Sequence, residues 1–344
     1  MIAPRLLIES LAKIVRNSSM YIPQRLWLQR VLKSTARLET RDRKVIVLLS
    51  SDTEFDPPSG SETWSRRSTR ALLDGLPRLL DLCDRHDISA TFFCEGKLVQ
   101  ALPSVFRDLA ADHEIGSHSF AHEWLGVKPP YLIGHREEFP ILSWGRKRMI
   151  LRYAAKCIGE VVGQIPRSFK APFNSVDHPS TLKLLDQVGF DTDSSLPNHR
   201  VSFARPPRPA PCRHGSEDDL WAEGKMHLVE VPFTTRLQPR FFHPVAFCEE
   251  VLDTLAIDLD MALESVEIQC RIDSLSGRDF SVVHVTSHPW EFSELIQRSN
   301  GANINRLEAY LDRLSGRYDV EYLTVSEFHE AWEREYCPLH SVRE

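Results

Sequence analysis

Residues 44–50 read KVIVLLS, a nearly continuous apolar run of strand length. Such a run suits a strand that is buried on both faces, as in a parallel sheet covered by helices. A helical pattern follows over residues 68–86, and a second strand-like segment covers residues 88–94. The alternation of strand and helix signals continues to residue 334, with about seven strands in all. This order predicts an α/β fold, either a (β/α) barrel or a related wound sheet.

The composition is that of a globular protein. The 344 residues are 42% hydrophobic and 26% charged, which excludes disordered, collagen-like and low-complexity chains. The net charge of -6 argues against nucleic acid as the main partner. Seven cysteines without a close CxxC pair predict reduced, buried thiols in a cytoplasmic protein. There is no apolar stretch of membrane-spanning length and no signal-peptide pattern, so we expect a chain that is neither exported nor inserted.

Positive charge is concentrated at the N-terminus. Residues 1–44 hold ten Lys or Arg and three acids, a net charge of +7, so the remaining 300 residues carry -13. Apolar residues recur there at roughly helical spacing, which predicts a basic amphipathic helical extension over residues 1–43. Two interpretations stay open. Residues 1–40 either contact an anionic membrane face peripherally, or pack on the acidic body at residues 44–335 or close the bottom of the barrel. Residues 336–344 are predicted to be a tail.

An acidic motif directly follows the first strand: residues 51–56 read SDTEFD. Asp52, Glu54 and Asp56 are spaced by two, so in an extended segment all three point to one face. Converging carboxylates are costly unless a cation or a proton joins them. The alternative is an acidic loop in water.

A histidine pair lies in residues 116–122, GSHSFAH. His118 and His122, four residues apart, would share one face of a helical turn and could hold one divalent ion. With 14 His in the chain, chance supplies about 0.6 such pairs, and His284 and His288 form another. The first pair is favoured because it follows a short apolar strand, one strand and one helix after the acidic motif.

A third motif ends a predicted strand: residues 282–291 read VVHVTSHPWE. Pro289 favours an extended conformation at His288. A histidine at the C-terminal end of a strand suits a proton donor near neutral pH. His284 lies deeper in the strand and is predicted to be a structural core residue.

These motifs together resemble the polysaccharide deacetylases of the NodB homology group, carbohydrate esterase family 4, over roughly residues 44–334. The similar stretches, in the family's order, are ATFF at 90–93, HEIGSHSFAH at 113–122, FKAPF at 169–173, LLDQVGFDTDSSL at 184–196, EVP at 230–232 and HPWEF at 288–292. The resemblance implies a distorted (β/α)7 barrel of the polysaccharide deacetylase type that holds one divalent metal ion, often zinc.

The resemblance also implies roles for the motif residues. His118 and His122 would be metal ligands. The acidic motif departs from the family's pair of adjacent aspartates and is similar to a spaced variant. On this basis Asp52 is assigned as the general base and Glu54 as the third ligand, with Asp56 in reserve for either role.

Three further roles follow from the same resemblance. His288 would be the general acid, and the backbone N–H of Phe173 would help to form the oxyanion hole. Lys170 stands where an arginine is usual. It keeps a positive charge near the base but lacks the planar guanidinium.

The implied activity is metal-dependent hydrolysis of the N-acyl, most simply N-acetyl, group of an amino sugar. The expected substrate is a small or lipid-linked intermediate of surface-polysaccharide or glycoconjugate synthesis, handled in the cytoplasm or at the inner membrane face. The alternatives are a deformylase or cyclic-amide hydrolase of the same fold, a non-catalytic carbohydrate-binding relative, and a membrane-docked scaffold.

Overall fold

The computed structural model describes residue 33 and residues 40–57, 68–126, 141–176, 180–196, 212–213, 226–234, 259–275, 277–295 and 302–335. The predicted extension lies outside the described residues except for residue 33 and residues 40–43, and the predicted tail lies wholly outside them. The division of the chain at residues 43 and 335 therefore stays a prediction.

The described strands form a single sheet. They are β1 (Lys44–Thr53), β2 (Thr91–Cys94), β3 (Glu114–Ser117), β4 (Ser168–Phe169), β5 (Thr192–Asp193), β6 (Cys212–Arg213), β7 (Val229–Glu230), β8 (Phe280–Ser287) and β9 (Asp319–Tyr322). Seven of them are parallel, in the order β7-β5-β4-β3-β2-β1-β8. β6 joins β7 antiparallel, and β9 runs parallel to the first half of β1.

Helices follow most of these strands. They are α1 (Arg70–His86), α2 (Gly96–Ala101), α3 (Pro103–Leu109), α4 (Trp144–Val162), α5 (Ser180–Val188), α6 (Leu259–Leu275), α7 (Ala302–Ser315) and α8 (Val325–Glu335), with short 3-10 helices at Pro172–Asn174 and Pro289–Phe292. No described helix is both long and apolar enough to cross a membrane.

The sheet curls until its two ends meet. After β7, the backbone N–H of Thr234 donates to the carbonyl of His284 in β8 (2.8 Å), and the N–H of His284 donates to Thr234 Oγ1 (2.9 Å). The predicted distorted (β/α)7 barrel is therefore confirmed.

β1 is buried on both faces, as its apolar run predicts. Val47 and Leu49 belong to a core layer shared with the surrounding helices. Ile46 and Leu48 point the other way, into a cluster that includes Phe93. Because side chains alternate along a strand, one long apolar segment fills both the barrel interior and the layer around it.

Some predicted elements differ from those observed. The sequence pattern gives little signal for α4, which begins at Trp144 and runs for 19 residues. Its first half is rich in arginine and lysine, which hides the apolar stripe of Ile150, Leu151 and Ala154 that faces the core. α6 was not predicted. Cys83, Cys94, Cys157 and Cys270 are buried and free, as expected.

Asp56 anchors the start of α1. Its carboxylate accepts the backbone N–H groups of Ala71 (3.0 Å) and Leu72 (2.8 Å) and the hydroxyl of Ser68. Thr69, the residue before the helix, makes no capping bond with its own side chain. A carboxylate from the preceding loop therefore satisfies backbone donors in the first turn of the helix, where negative charge is also favourable.

We predict that Asp56→Ala lowers the free energy of unfolding by about 1–2 kcal/mol, because the first turn of α1 loses its acceptor. Asp56→Asn keeps one acceptor oxygen, and its loss should be intermediate. Urea denaturation measures both changes. Glu264→Ala, at an exposed position in α6, is the control and should change stability by less than about 0.5 kcal/mol. An Asp56→Ala protein as stable as the wild type would contradict the anchoring role.

Candidate active site

The predicted site residues follow the C-terminal ends of parallel strands. Ser51 of β1 pairs with Ser287 of β8, so His288 comes level with Asp52. On the other side, Thr53 pairs with Cys94, and Cys94 pairs with Ser117, the residue before His118. Ser117 in turn pairs with Phe169, the residue before Lys170. Parallel pairing therefore brings residues far apart in sequence to one mouth of the barrel, where sites of such folds are built.

Glu54, His118 and His122 form a buried cluster at this mouth. One ligand atom from each lies within 4.8 Å of the corresponding atoms of the others. His122 Nε2 and Glu54 Oε2 are 2.5 Å apart. Two imidazoles and one carboxylate are a donor set that suits a zinc-like divalent cation with a further position open.

The surroundings of His118 prepare it to bind a cation. Its Nδ1 lies 2.8 Å from the backbone carbonyl of Lys170, so Nδ1 carries the proton and donates it to that oxygen. Nε2 then presents its lone pair, the usual arrangement for a histidine ligand. Burial, reinforced by the nearby His122, holds the pKa of His118 well below its ordinary value. The imidazole is therefore neutral, as coordination requires. On these observations the residues present fit a divalent metal ion.

A tight turn, and not the expected helical turn, joins the two histidines. Ser119 and His122 both have left-handed backbone conformations, each with φ of 61°. The carboxylate of Glu123 closes the turn by accepting Ser119 Oγ (2.7 Å) and the backbone N–H groups of Phe120 (3.1 Å) and Ala121 (2.9 Å). The two imidazoles still meet, with ring centroids 5.3 Å apart. The prediction that they converge is right in outcome, but its helical geometry is wrong.

Asp56 does not join the cluster. The chain leaves the extended conformation after β1 and bends at Phe55, so the expectation that all three acids face one way fails for the third. The carboxylate of Asp56 instead accepts backbone N–H groups in the first turn of α1. The reserve role of Asp56 as a ligand or base is therefore corrected to a structural one.

Asp52 and Lys170 form a buried ion pair beside the cluster. Lys170 Nζ donates to Asp52 Oδ2 at 2.8 Å, and the two side chains are 0% and 6% exposed. The ammonium also lies over the ring of Phe233, 5.1 Å from its centroid. Asp52 Oδ1 has no hydrogen-bond partner among the described residues. One oxygen of this carboxylate is thus fixed by the lysine, while the other remains available at the mouth.

His288 is oriented by the segment that follows it. Its backbone N–H donates to Glu291 Oε2 (2.7 Å), and its Nδ1 lies 3.4 Å from the same oxygen. Burial opposes protonation, but the hydrogen bond and charge of Glu291, with the charges of Glu54 and Asp52, raise the pKa of His288 to about 10. The imidazole therefore carries a proton at neutral pH.

A glycine lets this segment approach α1 closely. A Cβ on Gly75 would lie 1.9 Å from the carbonyl oxygen of Pro289. Asp74 accepts Ser293 Oγ (2.7 Å) and the backbone N–H of Glu294 (2.9 Å) from the same segment. The contacts of Gly75 and Asp74 therefore fix the segment that contains His288 and Glu291 against α1.

Phe173 forms part of the wall beside His122. Its backbone is left-handed, with φ of 57° and ψ of 19°, an uncommon conformation for an aromatic residue. Its ring packs against His122, with centroids 4.3 Å apart, and more loosely against Trp124 at 5.8 Å. The predicted contribution of its N–H to an oxyanion hole stays a prediction.

His284 lies in the core, as expected. Its Nε2 is 2.8 Å from Ser50 Oγ and its Nδ1 is 3.2 Å from the carbonyl of Val231. Burial, helped by the charge of Lys170, lowers its pKa to about 3, so the ring is neutral.

The seven-stranded barrel and the Glu54, His118 and His122 cluster at its mouth define an α/β barrel with a candidate metal site. Residues 71–192 match the family model "Polysaccharide deacetylase". The predicted resemblance to the polysaccharide deacetylases is thus confirmed over this segment, which is about a third of the chain. The matched segment contains both histidines of the cluster and Lys170.

A peptidoglycan deacetylase from Helicobacter pylori (strain ATCC 700392 / 26695) is 28% identical over 123 residues, which is 36% of this chain. The match spans only 37% of that protein's length. Among solved structures, a "probable polysaccharide deacetylase" from Pseudomonas aeruginosa PAO1 aligns with a TM-score of 0.56 and 16% identity, covering 86% of this chain and 93% of that one. PuuE allantoinase aligns with a TM-score of 0.55 and 16% identity, covering 87% and 93%. These two likenesses support the barrel fold.

We predict that Lys170→Met lowers the free energy of unfolding by about 3–5 kcal/mol, because Asp52 is left buried without its cation. Adding Asp52→Asn should recover part of this loss, since the stranded charge is removed. Urea denaturation of chelator-treated protein measures both variants. Lys183→Met, which changes an exposed lysine, is the control. Equal losses in Lys170→Met and the double variant would mean that the two groups are not coupled.

We predict that Glu291→Gln lowers the pKa of His288 from about 10 toward its ordinary value of 6.5. Because the folded pKa is raised, the stability that protonated His288 contributes is complete below about pH 6.5 and is lost as pH rises to about 10. Glu291→Gln should remove this alkaline loss. NMR titration of the histidines in chelator-treated protein measures the shift, with Glu294→Gln as control. An unchanged His288 titration would exclude Glu291 as its cause.

Proposed function

We propose that this protein is a metal-dependent hydrolase that removes an N-acyl group, most simply N-acetyl, from an amino sugar. The observation that carries the proposal is the convergence of three elements at one mouth: the Glu54, His118 and His122 cluster, the Asp52–Lys170 pair, and His288 beside Glu291. A base and an acid beside a cation site are what hydrolysis of an unactivated amide requires.

Glu54, His118 and His122 would hold the divalent metal ion, which we propose to be zinc because of the nitrogen-rich donor set. A metal ion bound by them would lower the pKa of water and polarise the amide carbonyl. Lys170 would support this arrangement without being a ligand, since its backbone carbonyl fixes the proton of His118 on Nδ1.

Asp52 would act as the general base. Lys170 holds its Oδ2, and its Oδ1 is directed to no described hydrogen-bond partner, so Oδ1 would accept the proton of the attacking water. The developing oxyanion would be stabilised by the backbone N–H of Phe173.

His288 would act as the general acid. An amine anion is a very poor leaving group, so the nitrogen must receive a proton as the C–N bond breaks. The raised pKa of His288 keeps the proton available across the neutral range, and a positioned acid of this kind contributes about 10²–10⁴-fold. Its pKa near 10 describes the protein without a cation, and a bound cation would offset the charge of Glu54 and make the proton easier to release.

We further propose a substrate that is small or lipid-linked, such as an intermediate of surface-polysaccharide or glycoconjugate synthesis, handled in the cytoplasm or at the inner membrane face. The basic residues 1–40 support the lipid-linked form, because a chain attracted to anionic lipid would meet a substrate already anchored there.

We predict that purified protein carries about one equivalent of divalent metal and releases acetate from an N-acetyl amino sugar, and that Glu54→Gln loses much of the metal. Asp52→Asn should keep the metal but lose about 10²–10⁴-fold in kcat. Metal analysis and a coupled acetate assay measure these changes. Chelation should abolish turnover, and added Zn²⁺ should restore it.

The substrate panel should include a nucleotide-linked, a simple glycosidic and a polyprenyl-diphosphate-linked N-acetyl amino sugar. An N-formyl amino sugar and a cyclic amide test the two alternative activities, deformylation and cyclic-amide hydrolysis. Lys183→Gln is the control variant. Full-rate turnover by metal-free protein would contradict the mechanism, and binding of every sugar without turnover would favour a non-catalytic relative.

A further inference from the structure

The outer face of α4 combines exposed aromatic, aliphatic and basic side chains. Eight large hydrophobic side chains are exposed in the described part of the chain, and half of them lie within thirteen residues at the start of this helix. They are Ile141, Trp144 (46% exposed), Met149 (51%) and Tyr153 (47%). Exposed apolar groups clustered in this way mark an interaction surface more often than they occur by accident.

The same face is strongly basic. Residues 144–162 contain five Lys or Arg and one acid, Glu160, which lies 3.6 Å from Lys156. Trp144, Arg148, Arg152 and Lys156 recur every four residues and so form one row along the helix, and Met149 and Tyr153 form the row beside it. The guanidinium of Arg148 lies over the indole of Trp144, 5.5 Å from the ring centroid. Lys147, by contrast, is buried against Thr181.

This face is close to the candidate active site. The ring of Tyr153 packs edge-on against Phe120, with centroids 4.7 Å apart, and Phe120 belongs to the turn that joins His118 to His122. Because α4 connects parallel strands β3 and β4, it begins on the mouth side of the sheet and returns the chain to the opposite edge. Its aromatic N-terminal end is therefore on the side of the barrel where the cluster lies.

We propose that this α4 face docks on an anionic lipid surface. Trp and Tyr favour the boundary between headgroups and acyl chains, where the ring contacts apolar chains and its polar atom reaches water. Arginine and lysine beside them are attracted to anionic headgroups, which an uncharged surface does not offer. Outside the basic residues 1–44 the chain carries a net charge of -13, so this basic face is a part of the body that can approach an anionic surface.

The docking surface adds to the proposed membrane contact of residues 1–40 and does not depend on the proposed hydrolysis. It also gives that contact an orientation, because the surface adjoins the mouth. A substrate head group held at the lipid boundary would then lie near Glu54, His118 and His122.

The test is flotation of the full-length protein with phosphatidylcholine vesicles that contain about one third phosphatidylglycerol, compared with pure phosphatidylcholine. We expect binding to the anionic vesicles that weakens with salt. Arg152→Gln combined with Lys156→Gln, both exposed positions, should weaken the apparent affinity about 25-fold, or about fivefold for each charge. Trp144→Ser combined with Met149→Ser should remove the binding that remains at high salt.

The control is Arg306→Gln combined with Arg313→Gln. It removes the same charge from α7, which packs against α1 and α6, and its affinity should match the wild type within about twofold. Wild-type affinity in Arg152→Gln/Lys156→Gln would assign vesicle binding to residues 1–40 and overturn the proposal. No binding by the wild type at low salt, or equal binding to uncharged vesicles, would also overturn it and leave an acidic protein as the partner to seek. Hydrolysis of a soluble N-acetyl sugar should be the same in all these variants, so the result is independent of the proposed activity.

Discussion

Two carboxylates at the end of β1 constrain the rest of the site. Asp52 and Glu54 are both at most 5% exposed, and two buried negative charges so close together are unfavourable unless positive groups surround them. Lys170 supplies one such group from β4. Two imidazoles opposite Glu54 supply the remaining polar partners and, with it, a place for a cation. Because the partners come from different strands, the site forms only when β1, β3 and β4 pair in their observed register.

Much of this arrangement could be predicted from sequence because its signals are local. A buried parallel strand requires an apolar run, and the residue after a strand's last pair emerges at the mouth. Asp52, His118, Lys170 and His288 were all found in that way or by motif. The buried state of β1 followed from pattern alone, and the sequence of α5 carries an equally local signal, since Ser180–Val188 has a clear apolar stripe and ends before Gly189.

What could not be predicted depends on tertiary contacts. Phe233 meets Lys170 only after the barrel closes, and nothing near it in sequence marks it as a cation's neighbour. Glu291 and Glu123 had a weak signal, as acids close in sequence to a histidine, but their hydrogen bonds require turns that the residue pattern does not specify. For Asp56 the sequence predicted a role in the site that the structure does not show. Regular spacing suggested a shared role with Asp52 and Glu54, but the strand had already ended.

Backbone strain at the mouth follows from the same constraint. Ser119, His122, Phe173 and Asn174 all have left-handed conformations although none is glycine, and such residues cost of order 1 kcal/mol or more each. The cost is offset by local bonds: Glu123 holds the turn at Ser119, and the ring of Phe173 packs on His122. A helical turn would avoid the strain, but it would orient the two imidazoles by helical geometry alone. The strained turn lets His118 follow β3 directly while His122 comes back to Glu54, and it fixes both rings before any ligand arrives. The strain is therefore best explained as the cost of a preorganised donor set.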